Sequence, residues 1–208
     1  HGGSVRLGIT VDALRQKDDG FELNADAERF THAILAVSPH RARALLAHYA
    51  ELASIVRMID QFVYQPIYSV YLQYAPESRL PFRMGGLETG YAQWLFDRGQ
   101  LGGQDGLIGV VISAAGAHQG LGHDELARAV HAELVGHFPG LGELRWQQVI
   151  AEKRATFACT PGLLRPDNAT PVAGLYLAGD YTASDYPATI ESAVRSGVAC
   201  AHLVLQNS

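Results

Sequence analysis

Cysteine is scarce in this 208-residue chain: Cys159 and Cys200 lie far apart, each without a second thiol nearby. That spacing excludes a disulfide scaffold and a thiolate metal site, and it fits a reducing cytoplasm. No apolar run reaches the ~20 residues that span a bilayer, and no secretory signal opens the chain, so a soluble protein is expected. Without such a signal the sequon Asn168-Ala169-Thr170 reads as ordinary loop sequence. No basic stripe is present and the net charge of −5 is thinly spread, so nucleic acid is not an expected partner. His118, His123, His131 and His137 fit no common ligand spacing, and no metal is expected. Ser113, Ser184, Ser192 and Ser196 sit in no nucleophile elbow, so no catalytic residue is assigned. What is present is an ordinary globular composition, 48% hydrophobic and 18% charged, enough for one domain or pieces of two.

Val5, Leu7 and Ile9 alternate with Arg6, Gly8 and Thr10, the period of a half-buried strand. Lys17-Asp18-Asp19-Gly20 carries the Asp-Gly signature of a tight hairpin turn, and Phe21-Glu22-Leu23 resumes the alternation. Thr31 to Val37 reads as a short buried strand, and Arg41 to Leu52 as a helix. Farther on, strands are expected over Tyr64–Tyr74, Tyr91–Asp97, Leu107–Ser113 and Trp146–Arg154, with a glycine-rich turn from Gly99 to Gly106. Leu126, Val130 and Leu134 recur every four residues, the stripe of a helix over Asp124–Phe138 that Pro139-Gly140 stops. From Ala155 a proline-rich loop leads to a strand at Gly174–Ala178, a second loop, and a helix from Thr189 to Leu205.

The stretch Gly174 to Ala201, GLYLAGDYTASDYPATIESAVRSGVACA, is the most informative. A buried strand ends in Gly179-Asp180, and a helix is expected to open at Pro187, where a proline's missing N–H costs nothing. The free amides of Ala188, Thr189 and Ile190 then form a site for an anion or an electron-rich carbonyl. A carboxylate beside such a site repels phosphate, so Asp180 suits hydroxyls, as on a ribityl chain or a ribose. Ala193, Gly197 and Ala201 make a small-residue line that lets the helix approach a flat ligand or another backbone. Two readings stand: a ligand site, or tight helix packing without one.

This stretch resembles the C-terminal signature of the flavin amine oxidase superfamily, in which a strand ending Ala-Gly-Asp or Ala-Gly-Glu precedes a helix. Within it the sequence is similar to the isoprenoid-acting branch, phytoene and carotene desaturases and the squalene-associated desaturases or hydroxysqualene dehydroxylases. Gln93-Trp94-Leu95-Phe96-Asp97-Arg98 and Ala155-Thr156-Phe157 followed by Pro161-Gly162 carry that finer likeness. The resemblance implies a mixed α/β protein: part of a Rossmann-like FAD domain in residues 1–45 and 155–208, and a mixed-sheet substrate domain in 46–154. It implies FAD as cofactor, with Gly179 and Asp180 at the ribityl or pyrophosphate region and Ala188, Thr189 and Ile190 against the flavin. Val11 would lie near the adenine, and Ala36, Val37 and Ser38 would border the cofactor.

It further implies redox chemistry on an apolar isoprenoid, hydroxysqualene to squalene in hopanoid synthesis, or a carotenoid-type desaturation. Tyr68, Tyr71, Trp94, Phe96 and Tyr186 are the candidate pocket residues, with Tyr74 beside them and Tyr181 flanking the loop; core packing is the other reading for each. Peripheral membrane contact for substrate uptake goes with such a substrate. Amine oxidases place an aromatic residue two positions before the helix glutamate, where this chain has Thr189 before Glu191. That disfavours an amine substrate, although an amine oxidase and a non-catalytic scaffold of the same fold remain the alternatives. The Gly-x-Gly-x-x-Gly dinucleotide turn of such folds is absent; Gly120-x-Gly122 and Gly140-x-Gly142 lack the third glycine. The chain is therefore expected to be the C-terminal part of a longer enzyme, with weak FAD binding and little activity alone.

Overall fold

The computed structural model describes residues 2–17, 20–24 and 28–207. The chain divides into two compact units, residues 1–62 with 159–208, and residues 63–158.

In the first unit, β1 (Leu14–Lys17) pairs antiparallel with β2 (Gly20–Leu23), which pairs with β3 (Arg29–Phe30). Asp18 and Asp19, read from the sequence as a hairpin turn, lie outside the described residues. The strand expected over Val5–Ile9 does not form: Val5 and Leu7 are 86% and 88% exposed and the stretch has no strand assignment. Alternation alone makes no strand when no neighbouring ladder takes up its amides and carbonyls. Next come β4 (Ala33–Leu35) and α1 (Pro39–Leu46), which has proline in its first turn. The single helix expected over Arg41–Leu52 is broken: a 3₁₀ turn at Ala50–Leu52 separates α1 from α2 (Ala53–Asp60). Leu46, Leu52 and Ile59 are buried, and residues 46–62, grouped with the middle segment in the sequence reading, belong to this unit.

The second unit is a five-stranded sheet covered by one long helix. Its strands and helices are β5 (Tyr64–Gln73), β6 (Met84–Gly86), β7 (Trp94–Asp97), α3 (Arg98–Gly102), β8 (Leu107–Ser113), α4 (His123–His137) and β9 (Trp146–Phe157). The strand order is β6-β7-β8-β5-β9, and every ladder is antiparallel, where the sequence suggested a mixed sheet. The short β7–β8 connection, part of it α3, needs no crossover, which suits antiparallel neighbours. Tyr68, Val70, Leu72 and Tyr74 alternate onto one face, and α4 lays Leu126, Ala127, Val130 and Leu134 against them in one continuous apolar core. Period 2 in the strand thus meets period 3.6 in the helix.

The chain then returns to the first unit. There β10 (Leu175–Leu177) pairs parallel with β4, in register Leu175↔Ala33 to Leu177↔Leu35. The last helix, α5, runs Ile190–Gln206.

Candidate functional site

Because β4 and β10 are parallel, their carboxyl ends leave the same edge of the pair, and the Ala178 amide donates to Leu35 O at 3.0 Å. Ala36 and Gly179-Asp180 therefore emerge side by side, at the edge where α/β sheets bind ligands. Gly179 is required by crowding: a Cβ there would lie 2.5 Å from the Tyr181 ring. Its amide donates to Ser196 Oγ at 2.9 Å and its carbonyl accepts from Thr182 Oγ1 at 3.0 Å. Asn168 completes this knot, its Nδ2 donating to Leu177 O and to Ser196 Oγ, both at 2.8 Å. Arg165 donates to the carbonyls of Asp180, Ser184 and Tyr186 and so holds the loop after β10 from beneath. The sequence reading missed Arg165, Asn168, Thr182 and Ser196 as positioning residues.

Asp180 is half-buried. Burial pushes its carboxyl above the ordinary carboxylate range, against the pull of its own amide, the Tyr181 amide and the nearby Arg165 guanidinium. A desolvated carboxylate at a strand end is a strong acceptor for hydroxyl donors.

The helix mouth differs in detail from the expectation. α5 opens at Ile190, and Thr189 is its extended N-cap, with a hydroxyl that accepts from the Ser192 amide at 3.1 Å. Pro187 and Ala188 stay in the loop, because a side-chain cap three residues before Ser192 fixes the first turn. The Ile190 and Glu191 amides are left at the positive end of the dipole, and the Ile190 side chain, 85% exposed, does not plug it. The small-residue line at Ala193, Gly197 and Ala201 makes no close approach: a Cβ on Gly197 meets nothing within 4 Å among the described residues. α5 packs instead through Ser192, Ser196 and Cys200, with Cys200 Sγ 3.1 Å from Leu177 O.

Val11 and Ala36 line one cavity of about 650 Å³, together with Thr10, Ile34, Val37 and Arg41. That volume lies within the range of small-molecule sites. Asn24 Oδ1 accepts the Asp12 and Ala13 amides at 2.8 and 3.1 Å, pinning the segment that carries Val11.

The pocket candidates part company. Tyr71, Trp94 and Phe96 share the open face of the second unit's sheet, since Tyr71 and Phe96 both pair with Gly109 and Trp94 pairs with Val111. Tyr68 is on the opposite, helix-covered face, buried and edge-on to His118 at 4.8 Å; an odd sequence separation from Tyr71 reverses the face. Tyr74 shares that buried face, donating or accepting at 3.0 Å with His131 Nδ1. In the first unit Tyr186 is exposed beneath the Arg195 guanidinium, 4.7 Å from its ring centre, whereas Tyr181 is buried edge-on to Phe62.

A parallel strand pair ending in a half-buried carboxylate, followed by a helix with an open N-terminus, is an arrangement found at ligand sites of α/β folds. Residues 1–205 match the family described as flavin containing amine oxidoreductase, and the chain belongs to that family. Its curated relatives include hydroxysqualene dehydroxylases. The protein of that name from Zymomonas mobilis is 34% identical over 147 residues, 70% of this chain and 34% of that protein. Its counterpart from Rhodopseudomonas palustris is 33% identical over 174 residues, 83% of this chain and 38% of that protein. The chain thus spans little more than a third of the length of these relatives. Among solved structures, cyclohexylamine oxidase from Brevibacterium oxydans superposes with TM-score 0.68 at 19% identity, over 95% of this chain and 48% of that one. An oxidoreductase from Methanosarcina mazei gives 0.69 at 15%, over 92% and 48%. These two likenesses establish the fold.

Proposed function

We propose that this chain carries part of the flavin site, and the substrate-facing sheet, of an FAD-dependent oxidoreductase that converts hydroxysqualene to squalene. The observation that carries the reading is the joint exit of Ala36 and Gly179-Asp180 from parallel strands beside the open mouth of α5. It is supported by the family match and by two relatives named hydroxysqualene dehydroxylase. The donor set fits the group. Asp180 would accept from ribityl or ribose hydroxyls, and the Ile190 and Glu191 amides would donate to an electron-rich flavin carbonyl. Val11 and Ala36 would border the adenosine half.

When bound, the flavin supplies the two electrons by which a C–H bond replaces the C–O bond, with the hydroxyl leaving as water. The chain's own share in the first unit is to orient that group, through Asp180 and the helix dipole; the second unit offers Tyr71, Trp94 and Phe96 on one sheet face as an apolar surface for an isoprenoid chain. No described helix is long and apolar enough to cross a membrane, and uptake of so apolar a substrate fits peripheral contact with one. The 208-residue chain alone binds FAD weakly, because it lacks the glycine turn that cradles a pyrophosphate.

The test is expression of the complete reading frame. The product should carry flavin and, with a reductant under anaerobic conditions, release squalene from hydroxysqualene. Asp180→Ala should weaken flavin affinity at least about tenfold, the worth of one charge-assisted hydrogen bond. A flavin-free product defeats the proposal. Peroxide release from a panel of amines, without dehydroxylation, replaces it with an amine oxidase.

A further inference from the structure

Gly109 lies in β8, the central strand of the five, directly between Phe96 on β7 and Tyr71 on β5. Glycine in a strand interior weakens the strand, and is kept there for a bulge, a special backbone angle, a crowded approach or a ligand. The first three do not apply. The β8 ladders run through Gly109 without a register shift, and its φ is not among the positive ones. An added Cβ would sit 3.8 Å from Tyr71 Cε1 and 3.9 Å from Phe96 Cβ, ordinary contact distances. Alanine would fit, and the strand would be better for it.

Over Gly109, which is itself buried, the sheet face carries a slot of about 210 Å³ lined by Tyr71, Phe96, Ser69, Val111 and Arg98. That is less than the ~300–1,000 Å³ that encloses a whole drug-sized ligand, so the slot takes one projection from a longer molecule. The rest of that molecule has an apolar track to lie on. Trp94, in the row beside Phe96, is 49% exposed, and Trp146, opposite Gln73 on the face of Tyr71, is 50% exposed. Ile150 and Met84 extend the track on either side. We infer that Gly109 is a specificity-determining residue: the notch it leaves between Tyr71 and Phe96 seats a methyl branch of a long isoprenoid chain. This deepens the proposed function and rests on it only for the identity of the natural ligand.

The chain contains two tryptophans, Trp94 and Trp146, and both lie on this face, so their emission reports its occupancy without any flavin. The 208-residue chain and its Gly109→Ala and Gly109→Val variants are titrated with farnesol and with 1-dodecanol, the saturated, unbranched alcohol of the same twelve-carbon length, so that the change between variants, not the absolute preference, reports the methyl branches. The wild type should bind farnesol about tenfold more tightly than dodecanol, the low end of what one methyl is worth in an apolar pocket. Gly109→Val should abolish that preference and leave dodecanol unchanged; Gly109→Ala should reduce it about threefold. The melting temperatures of both variants should hold or rise. Equal farnesol affinity in Gly109→Val overturns the inference, and so does a fall in its melting temperature, which would make the glycine a requirement of the fold. The outcomes separate from those of the functional proposal. A flavin-free product of the complete reading frame leaves the slot standing, whereas unaltered farnesol binding by Gly109→Val removes the slot and leaves the flavin chemistry untouched.

Discussion

The covered sheet of the second unit and the strand ends of the first are ordered by different means, although both units bury apolar side chains. In residues 63–158 one apolar cluster, from Tyr68 to Leu141, joins the covered face of the sheet to α4. At the strand ends of the first unit, order comes from a few polar side chains: Asn168, Thr182 and Ser196 tie the end of β10 to α5, and Arg165 holds the loop beyond. Apolar packing tolerates repacking within limits, whereas a buried donor or acceptor loses its place when one partner goes. The candidate site is thus built on the less forgiving principle.

Four experiments probe that contrast. The largest effect belongs to the apolar core. Leu134→Ala, at a fully buried position, should cost roughly 2–5 kcal/mol in urea unfolding followed by tryptophan emission, which reports residues 63–158 alone; a loss below about 1 kcal/mol would mean that the core collapses freely around the gap. Next is Ser196→Ala, which strips the Gly179 amide of its acceptor and should cost about 1–3 kcal/mol. Hydrogen exchange at Gly179 should quicken while the tryptophan transition stays put, and a shared shift would erase the distinction between the units. Thr189→Ala removes the α5 cap and should cost about 1 kcal/mol, with Thr189→Ser retaining most of it.

The shallowest effect is a pH dependence. His118 is 4% exposed, and burial holds its pKa below the ordinary value. The folded state therefore keeps the imidazole neutral where the unfolded chain would take a proton. Its contribution is complete above about pH 6.5 and is lost as pH falls toward the depressed value. The tryptophan-monitored midpoint should decline over that window, and His118→Phe should flatten the decline.

Much of the second unit was legible because its signals are periodic. The strand Leu107–Ser113 agrees with its sequence bounds, and α4 differs from its expected span by one residue at each end. Tyr68 and Tyr71 could have been separated by parity alone. The first unit yields less to such reading. Val5, Leu7 and Ile9 have the right period and no ladder to join, which only tertiary structure reveals. The start of α5 followed Thr189 rather than Pro187, since a hydroxyl cap and a first-turn proline leave competing signals in sequence. Asn168 and Arg165 sit in an aperiodic loop, and their partners are nine to twenty-eight residues away in the chain, from Leu177 to Ser196; no local pattern marks such residues.

The parallel pairing of β4 with β10 also bears on the order of folding. Ala33 and Leu175 are joined across the whole of residues 63–158, and closing so long a loop is entropically slow. Yet the ends of that inserted segment meet each other: Tyr64 pairs with Phe157, and the Ala158 amide donates to Val63 O at 2.8 Å. Once the insert has folded, the chain entering and leaving it is already gathered at one point. The distance that remains for β10 to find β4 is then that of two short flanking arms.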